Sequence, residues 1–249
     1  MATPGRLANP PIQEALVDLR IASATSIDAR VLEPLKQQFA SRFPKSEPRH
    51  KLEARIEARA AGQPPDVQAR DVGFHGLFLK DQAESRLVQF RIDGLTLNQL
   101  KGYTSADDLF AEALNLWQAY VSVVRPTAAI RVALRYINRL LLPFRDGDEF
   151  ERFLTAPANM PPKAPQQVAD FLVRTVAHVP EINGTAIVTQ RLEHATESAT
   201  PFLLDIDVFR EHAFGVGAEE LEPFLQRLRE VKNTLFFSFL TDEALEPYR

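Results

Sequence analysis

The stretch Ile130-Arg131-Val132-Ala133-Leu134-Arg135-Tyr136-Ile137-Asn138 sets the reading of this chain. In an extended strand, side chains alternate between two faces. Ile130, Val132, Leu134 and Tyr136 therefore share one face, and Arg131 and Arg135 take the other. A strand of this kind belongs in a sheet with one side under helices and one side presenting charge. Residues 15–21 repeat the pattern, with Leu16, Asp18 and Arg20 opposite Val17, Leu19 and Ile21. Residues 50–59 set Leu52, Ala54, Ile56 and Ala58 against Glu53, Arg55, Glu57 and Arg59. Residues 74–79 and 87–92 predict a hairpin around 81–85, and a short extended piece at 95–100 follows. Residues 171–179, 185–192 and 202–209 predict three more strands, the first two joined near Asn183-Gly184.

Helices fall between these strands. Asp28 caps a predicted helix through Phe43, with Val31, Leu35 and Phe39 at spacing four, Pro34 in its first turns and Pro44 as its stop. Thr104 or Ser105 caps a second, whose stripe is Phe110, Leu114, Trp117, Val121 and Val124 and which Pro126 ends. Residues 148–154 predict a short helix, and the proline-rich 156–165 a loop. Leu221, Leu225, Leu228, Leu235 and Phe239 give the buried side of a closing helix over 219–239. The fold class is α+β: a curved, largely antiparallel sheet with helices packed on one face. The order strand, helix, strands, helix occurs twice. It predicts two pseudo-repeated halves, 1–125 and 126–249, forming one continuous globular unit. This order resembles the saddle of the TATA-binding protein fold, a likeness of element order with no motif behind it.

The composition narrows the function classes. The chain has 249 residues, 45% hydrophobic and 25% charged, with a formal net charge of −4, so whole-molecule attraction to nucleic acid is not expected. It has no cysteine, which removes disulfides, thiol nucleophiles and thiolate metal sites. The apolar run Leu140-Leu141-Leu142-Pro143-Phe144 is too short to span a bilayer, and residues 1–9 lack the apolar core of a secretion signal. The expected location is cytoplasmic, with no membrane partner.

A spaced set of short motifs carries a family resemblance. Asn9-Pro10-Pro11-Ile12 with Glu14-Ala15-Leu16, then Leu87-Val88-Gln89-Phe90, Arg135-Tyr136-Ile137-Asn138 and Leu204-Asp205-Ile206-Asp207-Val208 run through nearly the whole chain. The set resembles a sporadically distributed bacterial family of about this length, whose members have no assigned function. The resemblance implies no catalytic residues. A patchy distribution of that kind fits mobile elements, defence islands or toxin–antitoxin pairs.

Two constellations bear on chemistry. Asp205 and Asp207 lie on one face of a strand, about 7 Å apart by the strand rise. Such a pair binds Mg²⁺ or Mn²⁺ when a third acid, Asp18, Glu53 or Asp93, joins it. The competing role is ion pairing with Arg20, Arg91, Arg131 or Arg135 across the sheet. Arg20, Arg55, Arg91, Arg135 and Arg174 are also expected on one sheet face, where guanidinium forks hold carboxylate or phosphate. Asn138 is read both as a binding residue and as a buried polar group fixing a strand end. His50, His75, His178, His194 and His212 show no metal spacing, Gly73-Phe74-His75-Gly76 no phosphate-loop pattern, and Trp117 reads as core. Phe236-Phe237-Ser238-Phe239-Leu240 is either core of this chain or an interface with another.

The reading favours a non-enzymatic binding protein that uses its charged sheet face, bound to a protein partner or a second copy, with nucleic acid less favoured and no cofactor. Arg20, Arg91, Arg131, Arg135 and Asn138 are the expected binding residues. The alternative is a metal-dependent enzyme acting on a phosphate-containing substrate, with Asp205 and Asp207 as ligands, as in a toxin or defence component.

Overall fold

The computed structural model describes residues 1–22, 29–57, 66–144, 149–164, 168–193 and 200–249; for 29, 51–57 and 66–72 the backbone alone is described. Nine strands form one open antiparallel sheet in the order β2-β3-β4-β5-β1-β6-β9-β8-β7. They are β1 (Ile12–Ala22), β2 (Lys45–Glu57), β3 (Asp66–Lys80), β4 (Arg86–Arg91), β5 (Gly94–Gln99), β6 (Ala128–Leu142), β7 (Phe171–Val179), β8 (Gly184–Leu192) and β9 (Thr200–Arg210). The helices are α1 (Glu33–Phe39), α2 (Ala106–Val124), α3 (Ala218–Phe239) and α4 (Asp242–Leu245). β5 returns beside β1 and β9 beside β6, and β1 pairs with β6 at the centre.

The register explains the two faces. One row across the sheet reads Leu79, Val88, Leu97, Val17, Leu134, Val208 and Ala186, all buried. The adjacent row, on the other face, reads Phe78, Gln89, Thr96, Asp18, Ala133, Phe209 and Thr185. The apolar rows merge with the inward stripes of α2 and α3 into one core. Burying these rows is the main driving force for the sheet–helix sandwich. Trp117, Tyr120, Phe90 and Phe39 stack successively, with centroids 5.4, 6.3 and 5.9 Å apart. Ser105 caps α2 by accepting from the Asp108 N–H, and Arg125 ends it in the left-handed conformation ahead of Pro126.

Several expectations shift in detail. Ile130 leaves the apolar face: the register slips between Arg20 and Ile21, so Ala129 is buried and Ile130 is exposed. The first helix is a short 3₁₀ turn over Ala29–Leu32 followed by α1, with Pro34 in its opening turn. The helix expected at 148–154 is one 3₁₀ turn, Phe150–Arg152. β2 starts at Lys45 and tolerates Pro48, because it is an edge strand with one side of its backbone unpaired. The Phe236–Leu240 segment is core of this chain, with Phe236, Phe237 and Leu240 buried. The expected cap Asp28, the loop at 62–65, Asp148, His194 and the side chains of Glu53 and Arg55 lie outside the described residues.

Candidate functional site: the open face of the sheet

The helices touch the sheet on its apolar side, and the charged face carries no helix among the described residues. At its centre lies a depression of about 310 Å³, lined by Arg20, Arg49, Arg91, Arg131 and Arg135 together with Glu14, Asp18 and Asp207. The sequence pattern puts these arginines on neighbouring strands. The row Arg131, Arg20, Gly94, Arg91, Gly76, Arg49 crosses six strands, and each glycine sits where a Cβ would strike a neighbouring backbone carbonyl.

Asp18 is the hub. Its Oδ1 accepts from Arg91 Nη2 at 2.9 Å and Thr96 Oγ1 at 2.7 Å, and its Oδ2 from Arg131 Nη1 at 2.6 Å and Arg20 Nε at 3.1 Å. Burial by itself would raise the Asp18 carboxyl, but Arg91, Thr96 and Arg131 outweigh it and hold the group below the usual carboxylate range. Arg91 also donates to Asp93 at 2.8 Å and to Thr96. Behind it, the Tyr120 hydroxyl donates to the Arg91 carbonyl at 2.9 Å, which ties the hub to the aromatic core. Arg131 lies over the Phe209 ring at 4.4 Å and reaches Asp207 at 3.3 Å. Arg135 grips Asp205 with Nε at 2.7 Å and Nη2 at 2.5 Å, a two-pronged pair. Burial, with Asp205 and Asp18 nearby, leaves the Asp207 carboxyl above its ordinary value despite Arg131 and Arg135.

Of the expected binding residues, Arg20, Arg91, Arg131 and Arg135 all line the depression. Asn138 does not join them. It sits on the helix side, buried, where its amide donates to the Leu204 carbonyl at 3.0 Å. Arg174 is placed on the edge strand β7, away from the depression. Asp205 and Asp207 are engaged by arginines, and among the described residues no three potential metal-ligating His, Asp or Glu side chains cluster. Arg20 and Arg135 are 50% and 40% exposed, against 8%, 14% and 20% for Asp18, Asp205 and Asp207 beneath them, while Asp93 and Glu211, paired with Arg91 and Arg131, stand 47% and 67% exposed at the rim.

The sequence reading missed a second group, on the opposite side of the sheet: Tyr103, Arg229 and Lys232 beside Tyr136. A signal was present. Lys232 stands four residues after Leu228 and four before Phe236, on the buried stripe of α3, where a lysine is out of place.

Searches of protein-family models, of curated proteins and of solved structures return no match to this chain. The likeness to the sporadically distributed bacterial family rests on the spaced motifs alone. No helix among the described residues is long and apolar enough to cross a membrane.

Proposed function

We propose that this is a non-enzymatic binding protein that holds an acidic protein partner on the open face of its sheet. One observation carries the reading: the exposed Arg20 and Arg135 overlie the buried Asp18 and Asp205 on a sheet face that, among the described residues, has no helix over it. The buried acids set the guanidinium groups in place, and the outer donors of Arg20 and Arg135 meet solvent. The same face turns apolar toward its edge, along the row Arg135, Asp207, Ile187 and Val176 and at Leu172. Arginine beside apolar side chains is the composition of protein-binding surfaces. Nucleic acid fits less well. The aromatic rings on this face, Phe78 and Phe209, lie under Arg49 and Arg131, which leaves little for base stacking. A metal-dependent or toxin-like activity has less support, since Asp205 and Asp207 serve their arginines.

The test is purification from the native host, with mass spectrometry of co-eluting proteins and the ratio of absorbance at 260 and 280 nm. A stoichiometric partner should be lost on Arg20→Glu with Arg135→Glu and retained with Lys36→Glu, a control on α1. Retention in the double variant, with the fold intact by circular dichroism, would sink the reading. So would a partner that is nucleic acid. Arg91 is unsuitable for the test because it is buried in the Asp18 hub.

A further inference from the structure

A cavity of about 480 Å³ lies on the helix side of the sheet, between the start of α2, the middle of α3 and the central strand β6. Thr104 to Asp107 form one wall, Arg229 and Lys232 another, and Tyr136 and Asn138 the floor. Leu7, Pro11 and Phe236 add apolar surface. Lys232 is half-buried, with protein crowding its ammonium at the edge of the cavity. Among the described residues no carboxylate or hydrogen-bond acceptor engages it; its contact is the face of the Tyr136 ring, 4.1 Å from Nζ. An enclosed ammonium without a counter-charge is costly and invites an anion.

We propose that this cavity binds a small organic anion, a phosphate- or carboxylate-bearing molecule with an apolar body, its charge held between Lys232, Arg229 and the first turn of α2. The charges favour it. Arg6, Arg229 and Lys232 line the cavity against one carboxylate, Asp107, which already accepts from Arg229 at 3.1 Å and Gln226 at 2.9 Å. α2 directs the positive end of a 19-residue helix at the same space. Ser105 and its carbonyl occupy the Asp108 and Leu109 amides, and the amides of Ala106 and Asp107 have no acceptor within the helix. The apolar wall and the volume suit a ligand larger than a bare ion.

Titration supports the geometry. Burial, then the nearby Arg229, push Lys232 down to about 7. The other charged or titratable groups around it are Tyr103, Tyr136, Arg229, Arg6 and Asp107. Burial raises both tyrosines, whose hydroxyls hydrogen-bond at 3.0 Å, so they stay neutral near pH 7. Anion binding therefore takes up a proton at Lys232, and affinity falls as pH rises above about 7.

The site lies on the sheet face opposite the open one, so its test is independent of the partner reading. The probe is pyridoxal 5′-phosphate, which joins a phosphate and an aldehyde on one aromatic ring. The neutral Lys232 nitrogen attacks the aldehyde carbon, the C–N bond forms, and the carbonyl oxygen leaves as water to give an imine. Borohydride then adds hydride to the imine carbon, fixing a secondary amine that peptide mass spectrometry locates. At pH 7.5 Lys232 should be modified roughly a hundredfold faster than lysines of ordinary pKa. Pyridoxal without phosphate should be at least about tenfold slower, and Arg229→Ala should erase that difference while leaving the amine. Protection by inorganic phosphate assigns phosphates; protection by benzoate assigns carboxylates. Modification of Lys232 no faster than the rest, equal rates for pyridoxal and its phosphate, or protection by neither anion would overturn the proposal.

Discussion

Replacing Asp18 with Asn tests whether the centre of the charged face is a structural hub. The change keeps shape but removes the negative charge that four donors share: Arg91, Thr96, Arg131 and Arg20. It also sets an amide donor against guanidinium donors. Asp18 and Arg91 are both nearly fully buried, so solvent screens the loss little. Removing one member of a buried pair typically costs about 3–5 kcal/mol. Arg91 keeps Asp93, and Arg131 keeps Asp207, so the lower end of the range, about 3 kcal/mol, applies. For a chain of this size that lowers Tm by roughly 6–12 °C. Urea unfolding followed by the single tryptophan, Trp117, which is fully buried, reports it directly. The sign with pH follows from the depressed folded value of Asp18. Its stabilisation is complete above the unfolded value near 3.9 and disappears as pH falls through the lower folded value. The gap between wild type and Asp18→Asn should therefore be full at pH 7 and shrink on acidification below about pH 4. A loss under about 1 kcal/mol at pH 7 would refute the hub. So would a gap that does not close in acid.

Lys232→Met should stabilise the protein at pH 6, by up to about 4 kcal/mol, since a shift of one pH unit is 1.36 kcal/mol. The folded value of Lys232, about 7, lies below the unfolded value near 10.4, so the penalty for the buried charge fades as pH rises through that window. Urea midpoints of the two proteins should converge by about pH 10, and a constant difference would contradict the buried ammonium. Gly94→Ala should destabilise by roughly 2–5 kcal/mol, because Gly94 has φ +148° and a Cβ there would lie 2.1 Å from the Leu19 carbonyl oxygen. Thermal melts that leave Gly94→Ala unchanged would refute the close β1–β5 approach. Tyr103→Phe should cost about 1 kcal/mol by losing the 3.0 Å hydroxyl contact with Tyr136, read in the same urea assay.

Alternation made the sheet legible. Val17, Leu19, Val132 and Leu134 differ from Asp18, Arg20, Arg131 and Arg135 by one position, and a period of two assigns their faces without knowing the neighbours. Helix spacing did the same for Phe110, Leu114 and Trp117. Ile130 broke the rule because a register slip depends on how β1 meets β6, a contact over a hundred residues apart in sequence. Asn138 obeyed it: alternation puts it with Tyr136, on the side away from Arg135, so it does not belong with the arginines, and only the packing shows that this side also holds a cavity. The cavity draws on Tyr103, Tyr136, Arg229 and Lys232, which no local spacing connects.

The sequence by itself determined which side chains face core and which face charge, because that depends on local periodicity and on hydrophobic burial. It also placed Arg20, Arg91, Arg131 and Arg135 on strand faces opposite the apolar one; strand order brought them together. Tertiary structure alone decided which arginine meets which acid, why Asp18 is the hub, and that Lys232 is enclosed beside the start of α2. Those depend on strand register and helix docking, where a shift of one residue or one turn changes every partner.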